Sequence, residues 1–574
     1  MNMVTWSDIE KWDPANLISA SQNLSNTRKS LFEACRASAD ASKGVQSTGD
    51  AVAAMQSAIQ GANEGLSKAV GDVAELMMAT SEAADGVWDV QTKVLECHNF
   101  VAEYPYLTIN DDGSVHWVAQ IPTNPIDTPS LDFSGFRSTS VTEAAINLLG
   151  GGGMIDGLSS AGPVGAAVEN MERKQKAQAL AKLIEEAINR AVEVDEAYAK
   201  RLNAVTDGTY ECTESPYDNS QGLPDLPEED WSPTEVSTWY NSLTESERQE
   251  LIRNHPDVIG NLDGIPMSAR DQANRIRLLG EDGAGGEPGQ VIKDAEQEQR
   301  EALESGDKDR IHHANQKLQD LYRLEEMIEE QTDANGEPLH LLTLDASGEH
   351  DVRAAVATGD VDRAENVSTM VPGIGTTVRG GIGGLMHNAE TLRSNAGYGD
   401  TAVVAWVYDT PPGAGEWDAN GSQTDITTTD VADRAAPDLN SFQEGIHAWH
   451  QTQGHDPRIT TTGHSYGSLT GGTAAMTAKA GMLDGITLYG SPGARADSVH
   501  DFNVPEGEVY TSNNTWDFVS GLGLDGDFGP DPHTLDGVRH LNSDHGGHSD
   551  YWDNPEFAED AGQVAAGEDP SIDR

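Results

Sequence analysis

The chain is short of cysteine, short of cations and without long apolar runs, and each shortage removes a class of protein. Three cysteines, Cys35, Cys97 and Cys212, stand in 574 residues with no metal-ligand spacing, so neither a disulfide framework nor a structural zinc site is expected. Cys35 and Cys97 can meet if their helices pack as a hairpin, and free buried thiols are the equal alternative. Lysine and arginine number 36 against 95 aspartates and glutamates, a formal net charge of −59. Phosphate binding needs clustered cations, which argues against nucleic acid as a partner and against an anionic membrane face. No stretch reaches transmembrane length, and the opening M-N-M-V-T-W-S-D-I-E-K-W-D-P has neither a basic start nor an apolar run. The expectation is a soluble chain that, if exported to the cell envelope or beyond, leaves without a cleaved signal.

What is present divides into a helical half and an alternating half. From Asn16 to Val101 proline is scarce and apolar residues recur at helical spacing: Leu17, Leu24, Leu31 and Ala34, then Val52, Met55, Ile59, Leu66, Val70, Val73, Leu76 and Met77. These predict long amphipathic helices leaning on one another, broken between Gly44 and Gly49. Leu107 to Val118 alternates around Asp-Gly, a hairpin signal. Residues 122–162 read as loop, and a further helix is expected over Val164 to Val205. Residues 1–206 therefore form an all-α domain with a small ribbon, followed by a linker over 207–230. Residues 231–337 read as a helical lead-in or cap.

From Pro338 the period changes. Strands are expected at Leu339–Asp345, at Asn366–Thr377 with a Gly-rich turn at its end, and at Thr401–Gly413. A helix should follow from about Leu439 to His455, then the strand at Arg458, and strands at Gly485–Gly493 and Glu508–Asn514. Near-continuous apolar strands alternating with helices predict a mostly parallel sheet covered on both faces, spanning 338–560 with an acidic tail over 561–574. Ligands in such sheets bind beyond the carboxyl ends of the strands.

The stretch R-I-T-T-T-G-H-S-Y-G-S-L-T-G-G, Arg458 to Gly472, is a β-branched run, then G-H-S-Y-G, then a small-residue segment able to continue as helix. Glycines on either side of Ser465 let strand and helix approach, which leaves the serine Oγ exposed at a strained corner. A serine hydroxyl becomes a nucleophile when a histidine takes its proton and a carboxylate holds that histidine. In this arrangement the order is serine, acid, histidine. Asp517, directly after the Glu508–Asn514 strand, is the chosen acid, with Asp525, Asp527 and Asp531 as rivals in a Gly/Pro-rich loop. His533, His540, His545 and His548 can supply the base; His548 is chosen and His545 is the runner-up. Backbone donors for an oxyanion would be the N–H of Tyr466 and that of Ile374 or Gly375 in V-P-G-I-G-T-T. No metal or organic cofactor is called for.

Residues from Trp231 to Trp552 resemble an actinobacterial α/β-hydrolase domain family of uncharacterised function. The resemblance rests on N-L-D-G-I-P with R-D-Q-A-N-R, V-P-G-I-G-T-T, G-H-S-Y-G-S, Y-G-S-P-G and G-H-S-D-Y in that order. It implies an α/β-hydrolase fold with Ser465 as nucleophile and supports Asp517 and His548 as its partners. The opening W-S-D-I-E-K-W-D-P resembles helical regions akin to the WXG-type hairpins of type VII secretion. Here Lys43-Gly44-Val45 stands where Trp-x-Gly would be expected, and Tyr210 with Glu214 resembles the short export signal. The expected function is a serine esterase or lipase acting on a small-molecule or lipid ester. The alternatives are a secreted interaction protein whose N-terminal helices meet a helical partner, and a cell-envelope esterase.

Overall fold

The computed structural model of the protein describes residues 4–43, 49–119, 163–210, 226–280, 283, 288–348, 351–408, 428–520 and 528–570. The first half is helical, with α1 (Trp6–Ile9), α2 (Ala15–Lys43), α3 (Asp50–Glu103) and α4 (Pro163–Thr206). Apolar residues three and four apart bury the contact faces: Val87, Val90, Val94 and Cys97 of α3 meet Leu180, Ile184 and Ala187 of α4, with Trp6 and Ile9 closing one end. The Asp-Gly ribbon forms as β1 (Leu107–Ile109) and β2 (Val115–Trp117), Leu107 facing Trp117. Cys35 and Cys97 are buried free thiols, and burial pushes the Cys97 thiol up to about 12, which leaves it unreactive. Cys212, the expected loop over 122–162, the Gly44-Val45 turn and Glu214 lie outside the described residues.

The lead-in is α5 (Pro233–Ser242), α6 (Glu245–Asn254), α7 (Pro256–Ile259), α8 (Met267–Leu279), α9 (Gln290–Ser305) and α10 (Lys308–Glu330). Its N-L-D-G-I-P and R-D-Q-A-N-R motifs lace α8 to β3 (His340–Asp345), a strand at the sheet edge. Asn261 donates to the Leu344 carbonyl and accepts from its N–H, both at 2.9 Å. Asp271 accepts from Leu341 N–H at 2.7 Å, and buried Arg270 donates to the Leu342 carbonyl at 2.7 Å. Side chains thus satisfy backbone groups that an edge strand would otherwise leave unpaired.

The sheet continues with β4 (Arg353–Thr358), β5 (Asn366–Val371), β6 (Thr401–Val407), β7 (Arg458–His464), β8 (Gly485–Tyr489), β9 (Val509–Ser512) and β10 (Arg539–His540). Its order is β10-β9-β8-β7-β5-β6-β4-β3; β4 runs antiparallel to both neighbours and the remaining pairs are parallel. Helices α11 (Ile382–Ala396), α12 (Asp430–Thr452), α13 (Tyr466–Thr477) and α14 (Pro555–Ala565) cover it. Together these make an α/β-hydrolase fold preceded by a helical region.

Several expected boundaries shift. β4 reads Arg-Ala-Ala-Val-Ala-Thr, and alanine is a poor strand former; it forms because five of its six positions are buried between β3 and β6. α12 begins at Asp430 rather than near Leu439 and carries Pro437 inside, where burial of Ala432, Ala435 and Ala436 outweighs the lost hydrogen bond. α14 runs past residue 560 to Ala565, its Phe557, Ala561 and Val564 packed beneath Tyr489 and Tyr551. Among the described residues of the expected cap, Leu278, Ile292, Leu321 and Leu324 are committed to the core with β3, β4 and α11.

The N-terminal helices dock on the core through polar contacts. Ser81 Oγ pairs with Thr238 Oγ1 at 2.9 Å, and Ala480 N–H donates to Thr92 Oγ1 at 2.9 Å. Lys479, just beyond α13, binds Asp85 of α3 and lies 2.6 Å from Glu444 of α12. Burial acts to lower the Lys479 ammonium, and the two carboxylates outweigh it and hold it above the ordinary lysine range. Lys479→Ala should leave two facing carboxylates and destabilise the docked state by about 2 kcal/mol. The checks are a lower thermal midpoint and faster proteolysis within α3; an unchanged midpoint would mean that the contact does not hold the two parts together.

Candidate active site

β5 lies between β6 and β7, so the chain goes from β5 to one side and later returns to the other. That reversal opens a crevice at the carboxyl ends of β5 and β7, the position where open α/β sheets bind ligands. Pro372, Gly373 and Ile374 leave β5 there, and Ser465 follows β7.

Ser465 has φ 54° and ψ −126°, and with Arg495 it is one of two non-glycine residues at positive φ among the described residues. Such a conformation costs of order 1–3 kcal/mol and persists only where the surroundings impose it. Two glycines impose it here. A Cβ on Gly467 would stand 2.2 Å from the Val371 carbonyl oxygen, and one on Gly463 would stand 2.7 Å from the Gly467 carbonyl oxygen. Ser465 N–H donates to the Tyr489 carbonyl at 3.1 Å, and Ser468 Oγ donates to the Ser465 carbonyl at 2.6 Å.

Asp517 and His548 come together from separate loops. His548 Nδ1 lies 2.9 Å from each Asp517 carboxylate oxygen. Asp517 also accepts from Tyr551 Oη at 2.6 Å and from Val519 N–H at 2.9 Å. Burial acts to raise this carboxyl, and the His548 and Tyr551 hydrogen bonds outweigh it, holding it at about 2. Both carboxylate oxygens sit at Nδ1, so Nδ1 is the nitrogen that donates to Asp517.

His548 and Ser465 line one cavity of about 630 Å3 with Gly373, Ile374, Tyr466, Pro492, Val519, Phe528 and Trp552. Of the expected oxyanion residues, Tyr466 and Ile374 line it. Gly375 does not; at φ 73° it serves the turn. Gly373 comes nearer, since a Cβ there would lie 2.7 Å from Ser465 Cβ. His545 is exposed and pairs with Thr515 Oγ1 at 3.2 Å. Asp531 caps a short turn through His533 N–H at 2.9 Å, and His533 and His540 face each other through their Nδ1 atoms at 3.2 Å. Asp525 and Asp527 lie outside the described residues. No group of three or more His, Cys, Asp or Glu side chains is placed to hold a metal ion among the described residues.

Two residues escaped the sequence reading. His464 packs on Tyr489 and His548, ring centroids 4.8 and 4.7 Å away, and its Nε2 lies 2.8 Å from the His548 carbonyl. Burial, reinforced by the nearby His548 ring, pushes His464 down to about 4, so it is neutral and donates that hydrogen bond. Tyr551 braces Asp517 from below. Both sit inside quoted motifs, G-H-S-Y-G and G-H-S-D-Y, and adjacency to Ser465 and His548 was the available signal.

The sheet order and the crevice define the class as α/β hydrolase. A family model described as alpha/beta hydrolase matches residues 347–523. An uncharacterized protein of Mycobacterium bovis is 33% identical over 215 residues, covering 35% of this chain and 76% of the relative. An uncharacterized protein of Mycobacterium tuberculosis H37Rv is 32% identical over 314 residues, covering 50% of this chain and 44% of the relative. The chain thus spans less than half the length of that relative. Among solved structures, an esterase of Pyrobaculum calidifontis aligns at TM-score 0.26 and 12% identity, over 48% of this chain and 96% of its own. The Bacillus cereus carboxylesterase aligns at TM-score 0.24 and 16% identity, over 37% and 94%. The chain belongs to the alpha/beta hydrolase family, and its mycobacterial relatives are themselves uncharacterized.

The low Asp517 value carries a stability prediction. A carboxyl depressed from about 3.9 when unfolded to about 2 when folded contributes stability above the unfolded value and loses it as pH falls through the folded one. The stability gap between wild type and Asp517→Asn should be full at neutral pH and close between about pH 4 and 2. Denaturant titrations at a series of pH values check this, and a constant gap would refute it.

Proposed function

We propose that the protein is a serine hydrolase acting on carboxylic esters, with Ser465 as nucleophile, His548 as general base and Asp517 as the group that orients His548. What carries this reading is the convergence of a strained serine, buried at the sharp turn rather than exposed as its sequence suggests, and a carboxylate-held imidazole on one cavity at the switch point of the sheet. Ser465 Oγ attacks the ester carbonyl carbon while His548 Nε2 takes its proton. The resulting oxyanion lies toward the backbone N–H groups of Tyr466 and Ile374, with Gly373 kept bare so that the turn after β5 can approach. Collapse expels the alcohol, which receives the proton from His548, and leaves Ser465 acylated. Water, deprotonated by His548, then releases the acid and restores the serine. Protonation of His548 in each half is stabilised by ionised Asp517, which Tyr551 and the Val519 N–H hold in place.

A fluorophosphonate probe should label wild type and not Ser465→Ala; equal labelling of both would remove Ser465 from the mechanism. Asp517→Asn should lower kcat by about 10⁴ by favouring the wrong tautomer of His548. His464→Phe keeps a ring against His548 and removes the donor to its carbonyl. It should lower kcat about tenfold with KM unchanged, the worth of one positioning hydrogen bond; a KM effect alone would assign His464 to substrate binding.

A further inference from the structure

Two large apolar side chains stand in solvent on either side of the acid. Trp516 is 60% and Phe518 79% exposed, while Asp517 between them is 6% exposed. The turn that presents them is pinned. Thr515 N–H donates to the Asp544 carbonyl at 2.9 Å and Trp516 N–H to the Gly546 carbonyl at 3.2 Å, tying it to the loop that carries His548. On the other side Val519 N–H donates to Asp517 Oδ1 at 2.9 Å and Ser520 Oγ to the Asp517 carbonyl at 3.0 Å. Alternation therefore sends Asp517 inward and holds both rings outward. Single exposed rings are ordinary; two displayed by one braced turn beside a ligand cavity mark a contact surface.

The occupant follows from the cavity. Val519, next to Phe518 in sequence, is part of its wall, so the turn that displays the rings also borders the cavity. No Asp, Glu, Lys or Arg lines that cavity among the described residues, although the chain carries 95 acidic and 36 basic residues. The part of a substrate that enters is accordingly uncharged and apolar. Esters with such acyl groups gather into droplets, and Trp and Phe side chains favour that kind of boundary. The net charge of −59 opposes approach to an anionic one. Resting on the ester-hydrolase reading, we propose that the Trp516–Phe518 turn docks the protein on the surface of aggregated, uncharged ester, and that the acyl chain passes over Val519 to Ser465.

The full chain is tested as wild type, Trp516→Ser/Phe518→Ser and Ser465→Ala. Flotation with phosphatidylcholine-coated triacylglycerol droplets reads docking without chemistry: wild type and Ser465→Ala should float, and the double variant should lose at least about tenfold in bound fraction. Phosphatidylglycerol-coated droplets should bind wild type more weakly. With tributyrin, the wild-type rate should rise at least about fivefold above the solubility limit. The double variant should lack the rise and keep its rate on dissolved p-nitrophenyl acetate within about twofold. Absence of flotation by wild type and Ser465→Ala, including the case where the rings bind a protein instead, overturns the proposal. So does full flotation of the double variant, or an equal loss on dissolved and aggregated ester. Failure of fluorophosphonate labelling with flotation intact counts against the ester chemistry and leaves the docking surface standing.

Discussion

The close approach of α13 to the carboxyl end of β5 is the constraint on which the rest of the site depends. Gly467 sits where a single added carbon would stand 2.2 Å from the Val371 carbonyl oxygen, so the helix begins against the neighbouring strand with no side chain between them. That contact turns the chain sharply after β7 and holds Ser465 at φ 54°. The strain costs of order 1–3 kcal/mol and is met by the apolar packing on one face of the sheet, where Ile459, Leu488, Val367 and Ala475 are all fully buried. Relaxing the turn would mean moving a strand.

A second layer fixes the Asp517–His548 pair. Tyr489, Tyr551, Trp552 and Phe557 form an aromatic cluster over α14, and His464 extends it to the His548 ring. Neutral His464 can pack among these rings because its one donated hydrogen bond goes to the His548 carbonyl. Asp517 stays ionised in a buried position because three donors converge on it. The cluster ties side-chain orientation to packing, which is how flexible loops come to hold fixed geometry.

Among the described residues none before Gly373 lines this cavity, so the described helices of the first half take no direct part in it. Its helices attach on the side of α5 and α12, through Ser81, Thr92 and the Lys479 ion cluster. The lead-in is spent on the β3 edge. None of the described residues of the expected cap lines the cavity, because its apolar side chains are already buried in another core.

By itself the sequence determined the elements and the chemistry within reach of local rules. Helical spacing marked the long helices, the Asp-Gly turn marked the ribbon, and β-branched runs marked most of the parallel strands. Glycines around Ser465 marked the sharp turn, and chain order singled out Asp517 and His548 as candidates. What it left undecided depended on residues distant in sequence. β4 is too rich in alanine to announce itself and exists because two strands enclose it. The helix expected from about Leu439 begins at Asp430, with Pro437 in its interior because its neighbours are buried. Gly373 rather than Gly375 lies at the serine, and His545 points to solvent while His548 meets the carboxylate. Period and turn chemistry are properties of a few adjacent residues, whereas which atoms face one cavity is fixed only when separate strands are brought side by side.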